Sequence, residues 1–249
     1  TRKESSAASD VYKRQVTALG VIIAAFVLSN AFKYKYKSQN RINVVGNAKQ
    51  DFESDIVVWS GSFSRNDFDL KTASESLNTD KSTVLNYLKN KGIKESEITF
   101  DAVNINKDFN YFTREDGTSY SEFSGYTLTQ NVSIESKDIN RIEKVSREIT
   151  DLISQGIELN SSQPSYYYSK LEDLKLELIK KASENGRQRA ENIASEAKAS
   201  LGHLKNADLG IFQITGQNTN EDFSYGGVFN TTSRSKTANI TVKLSFATK

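Results

Sequence analysis

Cysteine and methionine are absent from the 249 residues, and proline, histidine and tryptophan occur once each. Without cysteine there is no disulfide framework, thiolate metal site, cysteine nucleophile or redox pair. The compartment stays open, because exported proteins need not contain cysteine. One imidazole, His203, cannot build a metal site with two histidine ligands, and a Ser-His-Asp triad would rest on it alone. A single proline, Pro164, excludes Pro-rich linkers. Hydrophobic residues at 37% and charged residues at 26% leave room for a sizeable core and exclude wholesale disorder.

The net charge of +2 is unevenly spread. Up to Arg41 there are eight basic residues against two acidic ones, or +6, so the remainder carries −4. A mildly acidic body lacks the clustered Lys and Arg that phosphate backbones require, so no nucleic-acid partner is expected.

Val16 to Phe32 (VTALGVIIAAFVLSNAF) holds no charge and lies between Lys13-Arg14 and the Lys33, Lys35, Lys37 cluster. Seventeen helical residues give about 25 Å, the short end of what crosses a bilayer core. Three readings stand side by side. A single-pass signal-anchor over 16–32 fits the basic flanks and the interfacial Phe32, Tyr34 and Tyr36. A cleaved signal peptide fits Ser29-Asn30-Ala31. A buried core helix is disfavoured by an apolar character that runs all round. Residues 1–15, opening on Thr1 in a chain without Met, read as a non-native or disordered leader.

From Arg41 onward periodicity predicts the elements. Ile42, Val44, Gly46 and Ala48 alternate as in a half-buried strand, and Val57, Trp59 and Phe63 mark a central one. Leu70, Ala73, Leu77, Val84 and Leu88 form a helical stripe ended by Gly92. Ile98, Phe100 and Ala102 read as a strand. Glu115-Asp116-Gly117 then signals a hairpin before the alternation of Tyr126 to Ile134. Asp138 caps a helix closed by Gly156, followed by a strand from Ile157 to Leu159 and an extended piece from Ser165 to Tyr168. A helix of nearly 30 residues carries Leu171, Leu174, Leu178, Ala182, Gly186, Ala190, Ile193, Ala197 and Leu201, ending at Gly202. Its small second half and Gly186 predict close packing on a sheet. Leu209 to Thr215 and Ala238 to Phe246 read as the last strands. The order predicts an α+β body of mostly antiparallel sheet with helices on one face, and no linker divides it.

Val44-x-Gly46-x-Ala48, the joint LKNKGIKESEITF (88–100), RQRAENIA (187–194) and the tail from Leu201-Gly202 through GIFQIT to KTANITVKL resemble the SIMPL family over about residues 40 to 249. The resemblance implies an exported bacterial cell-envelope protein, with a periplasmic domain over 41–249 and no transferable catalytic set. It also implies homo-oligomerisation, since one relative forms a ring-like or channel-like assembly, and a connection to oxidative stress. A protein partner stays unknown.

Local candidates are weak beside their plain structural roles. His203 near a helix end is ordinary. Ser224-Tyr225-Gly226-Gly227 lacks the lysine and the strand-to-helix context of a phosphate loop. Glu115-Asp116 and Glu221-Asp222 lack calcium-loop spacing. Tyr166, Tyr167 and Tyr168 alternate faces in a strand, which turns at least one ring outward. No catalytic, cofactor-binding or metal-ligating residues are assigned, and no cofactor. The leading expectation is a non-enzymatic, inner-membrane-anchored envelope protein. Its rivals are a carboxylate-based envelope hydrolase or small-ligand-binding protein, and a cytoplasmic adaptor by analogy with a mammalian relative.

Overall fold

A computed structural model describes residues 2–37 and 40–248, with side chains for 12–33 and 40–248. The elements follow in the order α1 (Arg2–Lys37), β1 (Arg41–Glu53), β2 (Ile56–Asp67), α2 (Leu70–Asn90), β3 (Ile98–Phe100), β4 (Asn104–Thr113), β5 (Ser119–Ser136) and α3 (Ile139–Glu148). Then come β6 (Leu159–Ser161), β7 (Ser165–Tyr167), α4 (Leu171–Glu196), β8 (Leu201–Leu209), β9 (Gln213–Gly216) and β10 (Ser235–Thr248). β2 with β5, β6 and β7, β3 and β4 with β5, and β8 and β9 with β10 all pair antiparallel, in keeping with the expected α+β class. Two compact units share the chain: Thr1–Ala48, Glu177–Ile211 and Ile240–Lys249 form one, Lys49–Leu176 and Phe212–Asn239 the other.

The first unit holds the anchor candidate. Within α1, Tyr12–Lys33 is long and apolar enough to cross a membrane and no part of it is buried, which removes the core-helix reading. Twenty-two residues at 1.5 Å make about 33 Å, close to a bilayer's hydrocarbon thickness. The helix begins at Arg2, so it takes in the leader as well as 16–32.

In the same unit α4 lies against β1. Its buried positions step by four, through Leu178, Ala182, Gly186, Ala190 and Ala194. Four residues turn about 400°, so the stripe winds slowly around the helix as it crosses the sheet. A Cβ on Gly46 would meet the Ala182 carbonyl oxygen at 2.0 Å and the Gly186 nitrogen at 2.7 Å. Strand and helix backbones are therefore in direct contact, as the small half of the helix predicts.

The helix ends earlier than expected. Ala199 N–H bonds the Ala194 carbonyl at 2.9 Å and Lys198 N–H that of Ser195 at 3.0 Å, while Lys198 adopts a φ of 53°. This is a Schellman closure with lysine in the glycine's usual place. Ile193, expected in the buried stripe, is 49% exposed, and Leu201 begins β8 rather than ending the helix. Gly202 serves a strand instead: a Cβ there would meet the Ala247 carbonyl oxygen of β10 at 2.9 Å. The strand expected at Leu209 to Thr215 is likewise replaced by β8 and β9.

The second unit is built on β2, which pairs with β5 on one side and with β6 and β7 on the other. Val57, Trp59 and Phe63 point to one face and pack with Leu77, Val84 and Leu88 of α2 and Ile142 and Val145 of α3. Asp69 caps α2 by accepting from Thr72 N–H at 2.9 Å, and Asp138 caps α3 through Arg141 N–H at 3.1 Å. Gly92 and Gly156 close their helical segments with φ of 86° and 76°. Asp80, buried in α2, is held by a bidentate Arg65 (2.5 and 2.9 Å), which satisfies a carboxylate that could not stand there alone. The expected strand over 157–159 sits two residues later, at β6.

Gly46→Ala is expected to destabilise the protein by at least about 3 kcal/mol, because the added methyl faces backbone that cannot yield. Gly186→Ala is expected to cost under about 1.5 kcal/mol. There the methyl displaces the end of Leu244 (2.7 Å) and presses the Gly46 backbone at 3.3 Å, which must give slightly, while gaining about 1 kcal/mol of helix propensity. Urea denaturation of the two variants checks the order.

Candidate functional site

The most distinctive surface of the second unit is an arm made of β4 and the first part of β5. Opposite Gly125, the pairing of β4 with β5 shifts register between Asp108 and Phe109. Gly125 has a φ of 138°, and a Cβ there would meet the Asp67 carbonyl oxygen at 2.9 Å, so the bulge requires glycine. Asp108 pins the arm's base, accepting from Asn66 Nδ2 at 2.8 Å and from Thr127 Oγ1 at 2.5 Å.

Beyond the bulge both faces of the hairpin are solvent-facing and aromatic. Phe123 lies at the centre of one cluster, with ring centroids 5.1 Å from Phe68, 5.9 Å from Phe109 and 5.1 Å from Tyr126. On the other face Phe112 stacks on Tyr120 at 5.4 Å, and the Arg114 guanidinium lies 4.7 Å from the Tyr120 ring. Tyr111 is 80% and Phe68 68% exposed. Among the described residues, β4 is paired on one side alone. Sequence reasoning passed over these rings. The available signal was density, with six aromatics between Phe109 and Tyr126 in a chain that is 10% aromatic.

The sequence-derived candidates are scattered rather than brought together. His203 is exposed in β8, not at a helix end. Glu115 and Asp116 form the arm's turn, where Thr118 N–H and Oγ1 engage Asp116 at 2.8 and 2.6 Å and hold its carboxyl below the ordinary range. Ser224 to Gly227 make a turn with a fully exposed Tyr225. Asp222 is exposed, whereas Glu221 accepts from Gly216 N–H at 3.0 Å and from Asn230 Nδ2, which folds the loop back on β9. Of the three tyrosines, Tyr166 is in the core with its hydroxyl on Glu143 (2.9 Å), and Tyr167 faces outward.

A cavity of about 230 Å³ beside this loop is lined by Lys49, Thr219, Glu221, Phe223 and Asn239, among others. It contains one carboxylate, and both oxygens of that carboxylate are already engaged. Among the described residues no group of three or more His, Asp or Glu converges as a metal site would require.

Lys236 is the buried cation of this unit, 2% exposed. Its ammonium donates to the carbonyls of Tyr166 (2.8 Å) and Asn230, tying β10 to β7 and to the loop. Burial pushes it down to about 8, opposed by the Glu221 carboxylate.

Residues 42–246 match the SIMPL family, described as a protein of unknown function (DUF541). The comparison with curated proteins gives no match. The chain belongs to the SIMPL family.

Lys236 sets a pH dependence. Below about pH 8 it is charged in both states. Between about pH 8 and its ordinary 10.5 the unfolded chain holds a proton that the folded one lacks. Stability is therefore expected to rise with pH across that window, by up to about 3 kcal/mol, relative to Lys236→Met measured in parallel. Denaturant titrations of both proteins from pH 7 to 11 check it.

Proposed function

We propose that the protein is a non-enzymatic envelope component, held at the bacterial inner membrane by α1 with its body outside, and that it works by self-association through the β4–β5 arm. The observation that carries this reading is the arm itself. It combines exposed aromatic rings, a type enriched at interfaces, with a strand edge open to a further strand. A second copy fits it because both charge signs are present, Lys107 and Arg114 against Glu115, Asp116 and Glu122. A two-fold pairing of like arms is self-complementary.

The reading without catalysis is supported by the carboxyl groups. Among the described residues, each one whose titration departs from the ordinary value shifts down. Asp51 is lowered by the Thr237 hydroxyl, and Asp69 by Thr72 N–H. For Asp55 and Glu97, burial pushes up but hydrogen bonds from Ser169 and Ser136 outweigh it. A general acid requires the opposite shift. The outward orientation is supported by the family's exported members.

Full-length protein in detergent is expected to show an oligomer by size-exclusion chromatography with light scattering. Tyr111→Ser with Phe112→Ser is expected to reduce it to a monomer without loss of thermal stability. A strictly monomeric parent, or an oligomer untouched by the double change, would overturn the arm's role. Protease added to spheroplasts is expected to cut the body; protection would place it in the cytoplasm.

A further inference from the structure

In the first unit, burial of one sheet face against α4 leaves the other face to solvent. On that face a cavity of about 310 Å³ is lined by Arg41, Asn43 and Val45 of β1, Lys243 and Ser245 of β10, and Asn206 and Asp208 of β8. Lys243 stands opposite Asp208, and Ser245 opposite Asn206, in the β8–β10 register. The charges are not spent on one another: neither Arg41 nor Lys243 makes an ion pair within 4 Å among the described residues. Asp208 is occupied on one oxygen by Asn206 Nδ2 at 2.7 Å. Ser245, 8% exposed, has a buried hydroxyl with no hydrogen-bond partner among the described residues.

An orphaned buried hydroxyl costs stability unless something reaches it. Two free cations beside it select an anion with several acceptor oxygens, and Arg pairs best with the planar fork of a phosphate or carboxylate edge. The remaining carboxylate selects a cation on the same ligand. We infer that this face binds a phosphate ester carrying a primary amine, the chemistry of a phosphoethanolamine headgroup. Arg41 and Lys243 hold the phosphate, Ser245 donates to one of its oxygens, and Asp208 receives the ammonium.

Chain length supplies the source. From Lys33, at the end of the membrane-length segment, α1 continues for four residues to Lys37, and four more reach Arg41. Helical rise and full extension together allow about 20 Å. Arg41 is therefore tethered within that distance of the headgroup layer, where such esters are concentrated. This choice of source rests on α1 lying in the bilayer, as proposed above; the chemistry of the cavity does not.

Native mass spectrometry of the detergent-solubilised full chain tests both. With phosphatidylethanolamine, phosphatidylcholine or phosphatidylglycerol added at equal concentration, ethanolamine lipid is expected to be retained at least fivefold over the other two. Arg41→Gln with Lys243→Gln, both exposed positions, is expected to reduce that retention at least tenfold. Asp208→Asn is expected to abolish the preference for ethanolamine over choline while leaving choline lipid bound as before. Equal retention of the three lipids, or retention unchanged in the double variant, would overturn the site.

Water-soluble glycerophosphoethanolamine separates the sources. If it displaces the lipid, a soluble ester is a competent ligand; if it does not, the bilayer form is the ligand. Should α1 prove to be removed from the mature protein, the anchor reading fails. Binding of the soluble ester to that mature chain, lost in the double variant, would still uphold the cavity.

Discussion

The contact on which the first unit depends is between two backbones. With no side chain on Gly46 or Gly186, a turn of α4 rests directly on β1, and the spacing this sets governs the neighbouring residues. The helix must present alanine at 182, 190 and 194, because a larger side chain would lift it away from the strand. Leu244 of β10 fills the space beside Gly186. Strands alternate with a period of two, so committing Val44, Gly46 and Ala48 to the helix commits Arg41, Asn43 and Val45 to the other face. The polar cavity there follows from the same geometric choice that built the core.

Elements with one wet and one dry face were legible from sequence, since burial writes itself into the spacing of apolar residues. That holds for β1, β2, α2, α3 and β10, and their ends were marked by residues whose chemistry suits a terminus: Asp138, Gly92, Gly156. The elements that escaped notice are wet on both faces. In β4 the run Asn-Ile-Asn-Lys-Asp-Phe-Asn-Tyr-Phe-Thr has no face to hide, and β8 exposes every residue from His203 to Leu209. The end of α4 was misread for a related reason. Ala197 and Leu201 continue the helical spacing in letters, but the chain closes at Lys198, where no glycine announces the left-handed turn. The arm's rings were visible as a local excess of aromatics, yet density alone does not say whether rings will be covered. The polar cavity was invisible, because Arg41, Asp208 and Lys243 are far apart in sequence and meet through strand register alone.

Several acidic residues are committed to local structure. Asp69 and Asp138 are spent on helix N-termini, Asp116 on a turn, Glu221 on a loop, and the buried Asp80 on Arg65. Each accepts from N–H or O–H donors or from a cation, and for Asp69 and Asp116 those hydrogen bonds hold the carboxyl below its ordinary range. Such residues stabilise turns, helix ends and a buried strand-to-helix contact, which are structural tasks.

Whether the arm is a by-product of folding can be argued from the core. The buried cluster of the second unit draws on β2, β5, α2, α3 and the segments after them, and includes nothing from β4. Deleting the rings of Phe109, Tyr111 or Phe112 would therefore remove no core packing. Exposed aromatic surface is a standing liability for aggregation, and an open strand edge adds to it; proteins blunt such edges with charge, proline or a cover when they have no use for them. Here Lys107 and Arg114 supply some charge, but there is no proline in the arm and a bulge at Gly125 holds it in place. Folding does not require these rings, and solubility opposes them. Those are the features that the proposed contact with a second copy would use.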